Sequence, residues 1–260
     1  MRTTYGWLWI GIAGALALAP GLVAADDHAG SERGHAADPS ALSYTYIVGS
    51  FKPEYTPPPA GSYTLPVIQT VTDHPVLDAE GRSTTLFALK RDRLAVVAFV
   101  YTACPEATGC PLSEAVLHRI DHALADDREL ARQVTLITVS FDPERDTPAA
   151  MKTVRGLHQP KNDWQFVTTR DEAQLQPLLA DFNQPVAKLR FADGRWSGLF
   201  RHVLKVFLLD RENRVRNIYS VGFLNSQTVL NDLRTVLMEG ERPVQVSSNG
   251  AERSGAPARP

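Results

Sequence analysis

The 260-residue chain carries 27 basic and 29 acidic side chains, for a formal net charge of −2. With 22% charged residues and no lysine- or arginine-rich block, the composition gives no footprint for nucleic acid. Once a leader is set aside, the remaining length suits one sizeable domain with frayed ends.

The first 25 residues read as a secretory signal. Arg2 supplies the positive start, residues 7–19 are apolar and uncharged, and Val23-Ala24-Ala25 supplies small residues for cleavage before Asp26-Asp27. The apolar stretch is short of the roughly 20 residues that span a bilayer, and Pro20-Gly21 breaks it. An uncleaved anchor is the competing reading. Cleavage implies a periplasmic protein. Residues 26–60 are polar, contain His28 and His35, and end in Pro57-Pro58-Pro59, the composition of a flexible linker. The two histidines read as solvated side chains or loose metal binders. Residues 241–260 read as a disordered tail. The domain proper is expected over 61–240.

Within it, residues 62–71 and 75–77 read as short strands, with Glu80-Gly81 marking a turn. Residues 94–101 form a nearly continuous apolar run, typical of a strand covered on both faces. Pro111 opens a helix to about residue 125 whose apolar face is Leu112, Ala115, Val116, Ile120 and Leu124. A second buried strand is expected over 134–141, a helix from Thr147-Pro148 to about 157, a strand over 164–168 and a helix from Asp171. Residues 205–210 and 215–220 flank Arg211-Glu212-Asn213-Arg214 as a hairpin, and Asn225 starts a last helix through 237. This order is an α/β, three-layer, thioredoxin-like arrangement with an N-terminal strand extension and an insertion before the C-terminal hairpin.

The chain has two cysteines, Cys104 and Cys110, with five residues between them. They fall between the first buried strand and the helix opened by Pro111. Outside the cytoplasm, two such thiols form a disulfide unless kept reduced. So short a loop constrains the unfolded chain little, which favours a functional pair over a structural staple. Pro111 at the first helical position makes Cys110 a candidate helix N-cap, where the dipole favours thiolate. The spacing is open to a disulfide or to two thiolates held around an ion.

Two observations bear on that choice. Thioredoxin-type exchangers place a proline facing the thiols, whereas the residues entering the matching strand here are Phe200-Arg201-His202, with no proline between Pro185 and Pro243. Two thiolates and an imidazole are a poor set for magnesium or calcium and a good one for copper. Zinc is the nearest rival, and a three-ligand zinc site would call for a general base that is not evident. His118 and His122, at i,i+4 spacing, are a further chelating pair, read as solvent-facing and without a third ligand nearby in sequence.

Three segments together resemble the Sco/SenC copper-chaperone family. They are Phe99-Val100-Tyr101-Thr102-Ala103-Cys104-Pro105 with Gly109-Cys110-Pro111, then Ser140-Phe141-Asp142-Pro143-Glu144-Arg145-Asp146-Thr147-Pro148, then His202 ahead of Phe207-Leu208-Leu209-Asp210. The likeness extends over about residues 61–238. The family usually has three residues between its cysteines, and this chain has five. The resemblance implies a thioredoxin-like fold that binds Cu(I) or Cu(II) through Cys104, Cys110 and His202. It implies a role in assembling the copper centre of cytochrome c oxidase subunit II, by copper delivery, by thiol reduction, or both. It also places Asp142 and Asp146 beside the site or on a partner surface, the alternative being a turn and helix cap. No nucleic acid or small-molecule substrate is expected, and the chain reads as an assembly factor, not a turnover enzyme. A metal-free thiol-disulfide oxidoreductase using Cys104 and Cys110 is the second reading. A peroxiredoxin-like peroxidase is the third, weakened by how close Cys110 lies in sequence for a resolving partner.

Overall fold

A computed structural model of the chain describes residues 55–241, Ala107 excepted. The signal sequence, most of the linker and nearly all of the tail expected from the sequence lie outside the described residues. Among those described, no helix is long and apolar enough to cross a membrane.

The chain enters along its last helix: Asn231 donates to the Pro58 carbonyl at 2.8 Å and the Tyr55 hydroxyl meets Thr228 Oγ1 at 3.0 Å. β1 is Gln69–Thr70 only. Its ladder is extended at either end by Ile68 and Val71 N–H groups bonding Val215 and Asn213 carbonyls. The strand expected over 62–71 is thus short. β2 (Pro75–Leu77) and β3 (Ser83–Thr85) make a hairpin turned by Gly81 at φ 77°, and α1 (Leu86–Lys90) follows, capped by the Thr85 side chain. Five residues are too few to show helical periodicity, so α1 has no sequence signature.

β4 (Leu94–Val100) and β5 (Val134–Ser140) are buried at every residue. Between them lie α2 (Cys110–Asp126) and α3 (Arg128–Gln133). α4 (Pro148–His158) carries Thr147 as its side-chain cap, as the Asp146-Thr147-Pro148 sequence predicts. Then come β6 (Trp164–Val167) and α5 (Glu172–Asp181), capped by Asp171. β7 (Val186–Arg190) and β8 (Trp196–His202) form a separate two-stranded hairpin. β9 (Val206–Leu209), β10 (Arg214–Tyr219) and α6 (Ser226–Glu241) complete the domain.

The main sheet runs β1-β10-β9-β4-β5-β6. β4, β5 and β6 are parallel, and β9, β10 and β1 alternate in direction beside them. Alternation along β4 sends Leu94, Val96 and Ala98 to a core with α2, α4 and α6, and Ala95, Val97 and Phe99 to a second core with α1 and α5. The result is the expected α/β three-layer thioredoxin-like fold. The expected insertion is the β7–β8 hairpin, whose second strand ends at His202. The sequence reading has no separate strand there: Trp196 to Gly198 and His202 are half-buried, Leu199 and Arg201 exposed and Phe200 buried, so neither a period of two nor the apolar run of β4 marks it.

Candidate metal centre

Cys104 lies in the loop after β4, and Cys110 is the first residue of α2. Gly109, not Cys110, is the helix N-cap. The loop closes tightly: a Cβ on Gly109 would sit 3.2 Å from the Glu106 carbonyl oxygen and 3.3 Å from Cys104 Sγ. Glycine is what lets the backbone pass the thiol. His202 arrives from β8, 92 residues beyond Cys110, and its Nε2 stands 3.8 Å from Cys110 Sγ. One donor atom from each of Cys104, Cys110 and His202 falls within 4.8 Å of the others. Both cysteines are free, Cys110 buried and Cys104 half-buried.

The two thiols are unlike. A hydrogen bond from Cys110 holds the Cys104 thiol down, to about 5, against the opposing effect of burial. Cys110 is pushed well up, because it gives that hydrogen bond and because it is buried. The helix-cap expectation for Cys110 therefore fails. Cys110 is the first helical residue behind Gly109, and its burial works against the thiolate that the helix dipole favours, whereas Cys104 is the more accessible of the two.

Aromatic packing orients His202. Its ring lies 5.0 Å from Phe141 and 5.8 Å, edge-on, from Tyr101, and its Nδ1 is buried without a hydrogen-bond partner. Burial pushes the Tyr101 phenol up to about 12, so it stays a hydrogen-bond donor beside Cys104.

The two acids from the middle motif each brace one arm of the site without touching it. Asp146, 1% exposed, accepts from the Thr102 backbone N–H at 3.0 Å, from the Thr102 hydroxyl, and from the Ser140 hydroxyl at 2.6 Å. It thereby fixes the chain two residues ahead of Cys104. Asp142 pairs with Arg145, whose guanidinium stacks 4.3 Å over Trp196 and reaches Phe200. That contact anchors β8, the strand carrying His202. Burial raises the Asp142 carboxyl, with Arg145 opposing. The alternative reading of this segment also holds at Thr147, which caps α4. Arg145 lies in the middle motif, but its pairing with Trp196 is not legible in the sequence, because an arginine–aromatic stack between distant segments has no spacing signature.

His118 and His122 are remote from the cysteines along α2. Their rings are 4.4 Å apart, and His158 from the end of α4 stands 5.8 Å from His118. The expectation of no third partner held in sequence only.

A three-layer fold with two thiols and an imidazole converging at the β4–α2 junction defines a thioredoxin-like protein with a soft-metal donor set. The SCO1/SenC family model matches residues 68–238, and the chain belongs to that family. Solved structures agree in fold. ScoI from Bradyrhizobium japonicum, described with copper bound, is 23% identical, covering 62% of this chain and 97% of its own, with a TM-score of 0.51. A SCO1/SenC family lipoprotein from Bacillus anthracis is 20% identical, covering 66% and 97%, with a TM-score of 0.54. BsSco, described as a Sco-family cytochrome c oxidase assembly protein with a disulfide switch, is 20% identical, covering 68% and 98%, with a TM-score of 0.53. No curated protein matches the chain by sequence.

Proposed function

We propose that the chain is a periplasmic copper-binding assembly factor that delivers copper to, or reduces the cysteines of, a respiratory copper enzyme, with cytochrome c oxidase subunit II as its client. The convergence of Cys104, Cys110 and His202 within 4.8 Å carries this reading. Cu(I) is satisfied by few, soft ligands, and Cu(II) adds the imidazole nitrogen. No proline lies between Pro185 and Pro243, and His202 stands at the thiols where an exchanger has its proline. Copper-bound ScoI and the assembly role given to BsSco support the same cargo and client class. The leader, cut after Ala25, supplies export, and the lipoprotein relative is in keeping with a site outside the cytoplasm.

The thiol asymmetry keeps a second reading in play, that of a metal-free thiol-disulfide oxidoreductase. A Cys104 thiol lowered to about 5 beside a protonated Cys110 is the pairing of an attacking and a resolving thiol. Metal analysis separates the two. Reduced protein loaded with Cu(I) and desalted is expected to retain one copper on the thiolates, and disulfide-oxidised protein to retain none there. Loss of all Cu(I) from reduced protein would leave the oxidoreductase reading.

A further inference from the structure

We propose that His118, His122 and His158, with Glu114 at the rim, form a second metal site for a borderline divalent cation, Cu(II) by preference. The site is separate from the cysteines. His118 lies eight residues beyond Cys110 on α2, about 12 Å along the axis at 1.5 Å per residue.

Two elements build it. His118 and His122 are one turn apart on α2, the spacing that lets two imidazoles share one ion. α4 brings in His158 at its C-terminal residue, with the ring held against Trp164 at 4.8 Å and Phe166 at 5.7 Å. Glu114, one turn before His118, places a carboxylate oxygen 3.7 Å from His158 Nε2. His118 Nδ1 is buried with no hydrogen-bond partner. A buried imidazole nitrogen left in that state is costly, and a metal or a proton donor relieves it.

Burial first, then the neighbouring His122 and His158, hold His118 below the usual histidine range. Lys161 Nζ sits 3.1 Å from His122 Nδ1 and opposes a cation there, but both residues are exposed and free to part. Among the described residues only Cys104, Cys110 and His202 bring three donor atoms within 4.8 Å, so binding an ion requires the histidine side chains to turn inward, chiefly across the wider gap between His118 and His158. Imidazoles with one carboxylate suit Cu(II) and Zn(II), and the order of affinities puts Cu(II) first.

The test uses the mature chain carrying Cys104→Ser, Cys110→Ser, His202→Ala, His28→Ala and His35→Ala. Of the seven histidines this leaves the trio and His74, which is tied to Asp181 at 2.9 Å. Titration with Cu(II) alone, and separately Zn(II) alone, is expected to give one equivalent bound, with imidazole nitrogen couplings in the Cu(II) resonance spectrum. Adding His118→Gln or His158→Gln is expected to weaken binding by about tenfold or more, about 1.4 kcal/mol. The same pair of substitutions in the disulfide-oxidised, cysteine-intact chain lacking His28 and His35 gives a second measurement free of the serine changes. No stoichiometric Cu(II) in either background, or affinity unmoved by His158→Gln, overturns the proposal. Because the first background lacks both cysteines, either result is independent of the cysteine-centred function.

Discussion

Asp146 offers the most direct probe of how the fold holds the cysteine loop. Its carboxylate is 1% exposed and accepts three hydrogen bonds. Replacement by alanine leaves the fully buried Ser140 hydroxyl without its acceptor, at about 1–3 kcal/mol. The two bonds to Thr102 lie nearer water, and each contributes about 0.5–1.5 kcal/mol. Because three bonds share one carboxylate the contributions do not simply add, and Asp146→Ala is expected to destabilise the domain by about 2–4 kcal/mol. Asp146→Asn keeps the volume and one acceptor: its oxygen can take the place of the one shared by the Thr102 N–H and the Ser140 hydroxyl, and its amide then faces the Thr102 hydroxyl, which can turn to accept. It is expected to cost about 1–2 kcal/mol. Urea denaturation of the apo, reduced protein measures both. A Thr102→Val, Asp146→Ala double-mutant cycle isolates the link to the loop, and Cu(I) competition with a chelator reads out its effect on the site. An Asp146→Ala protein within about 0.5 kcal/mol of the parent, the range of an ordinary surface change, would refute the bracing argument.

Other outcomes follow from the site. His202→Ala is expected to weaken Cu(II) more than Cu(I), since two thiolates alone hold Cu(I), and Cys104→Ala or Cys110→Ala to weaken both; a sulfur-to-copper charge-transfer band unchanged in His202→Ala would remove His202 from the ligand set. Thiolate, not thiol, reacts with iodoacetamide, so in apo protein the Cys104 rate should rise through about pH 5 and level off above it, while Cys110 stays slow at neutral pH. Equal rates for the two at pH 7 would contradict the assigned asymmetry. If the leader is cut after Ala25, the new N-terminus is Asp26-Asp27-His28. A terminal amine, two backbone amides and an imidazole in that order form a square-planar nitrogen set for Cu(II). Mature protein should then bind one further Cu(II) that His28→Ala or N-terminal acetylation removes, and an acetylated protein with unchanged Cu(II) stoichiometry would rule this out.

The sequence alone determined what is local. The apolar run at 94–101 holds β4, and residues 134–141, where Thr135, Thr138 and Ser140 interrupt the aliphatic residues, hold β5; both strands are covered on both faces, so neither shows polar alternation. The caps at Thr147 and Asp171 and the proline beside Cys110 fix where helices begin, because each satisfies or removes an orphan N–H within a few residues. The cysteine pair was visible for the same reason: both thiols lie in one loop. His202 was reached only by counting along an assumed fold and by family resemblance. Tertiary structure decided the rest. The β7–β8 hairpin that delivers His202 is anchored by Arg145 on Trp196, a contact between segments about 50 residues apart that no periodicity encodes. The cap itself falls one residue earlier than the chain suggests, on Gly109, and the helix-start argument counts the dipole but not the burial of Cys110, which pushes its thiol the other way. His158 joins His118 and His122 only because α4 packs beside α2, and burial and proximity of that kind exist only once the chain has folded.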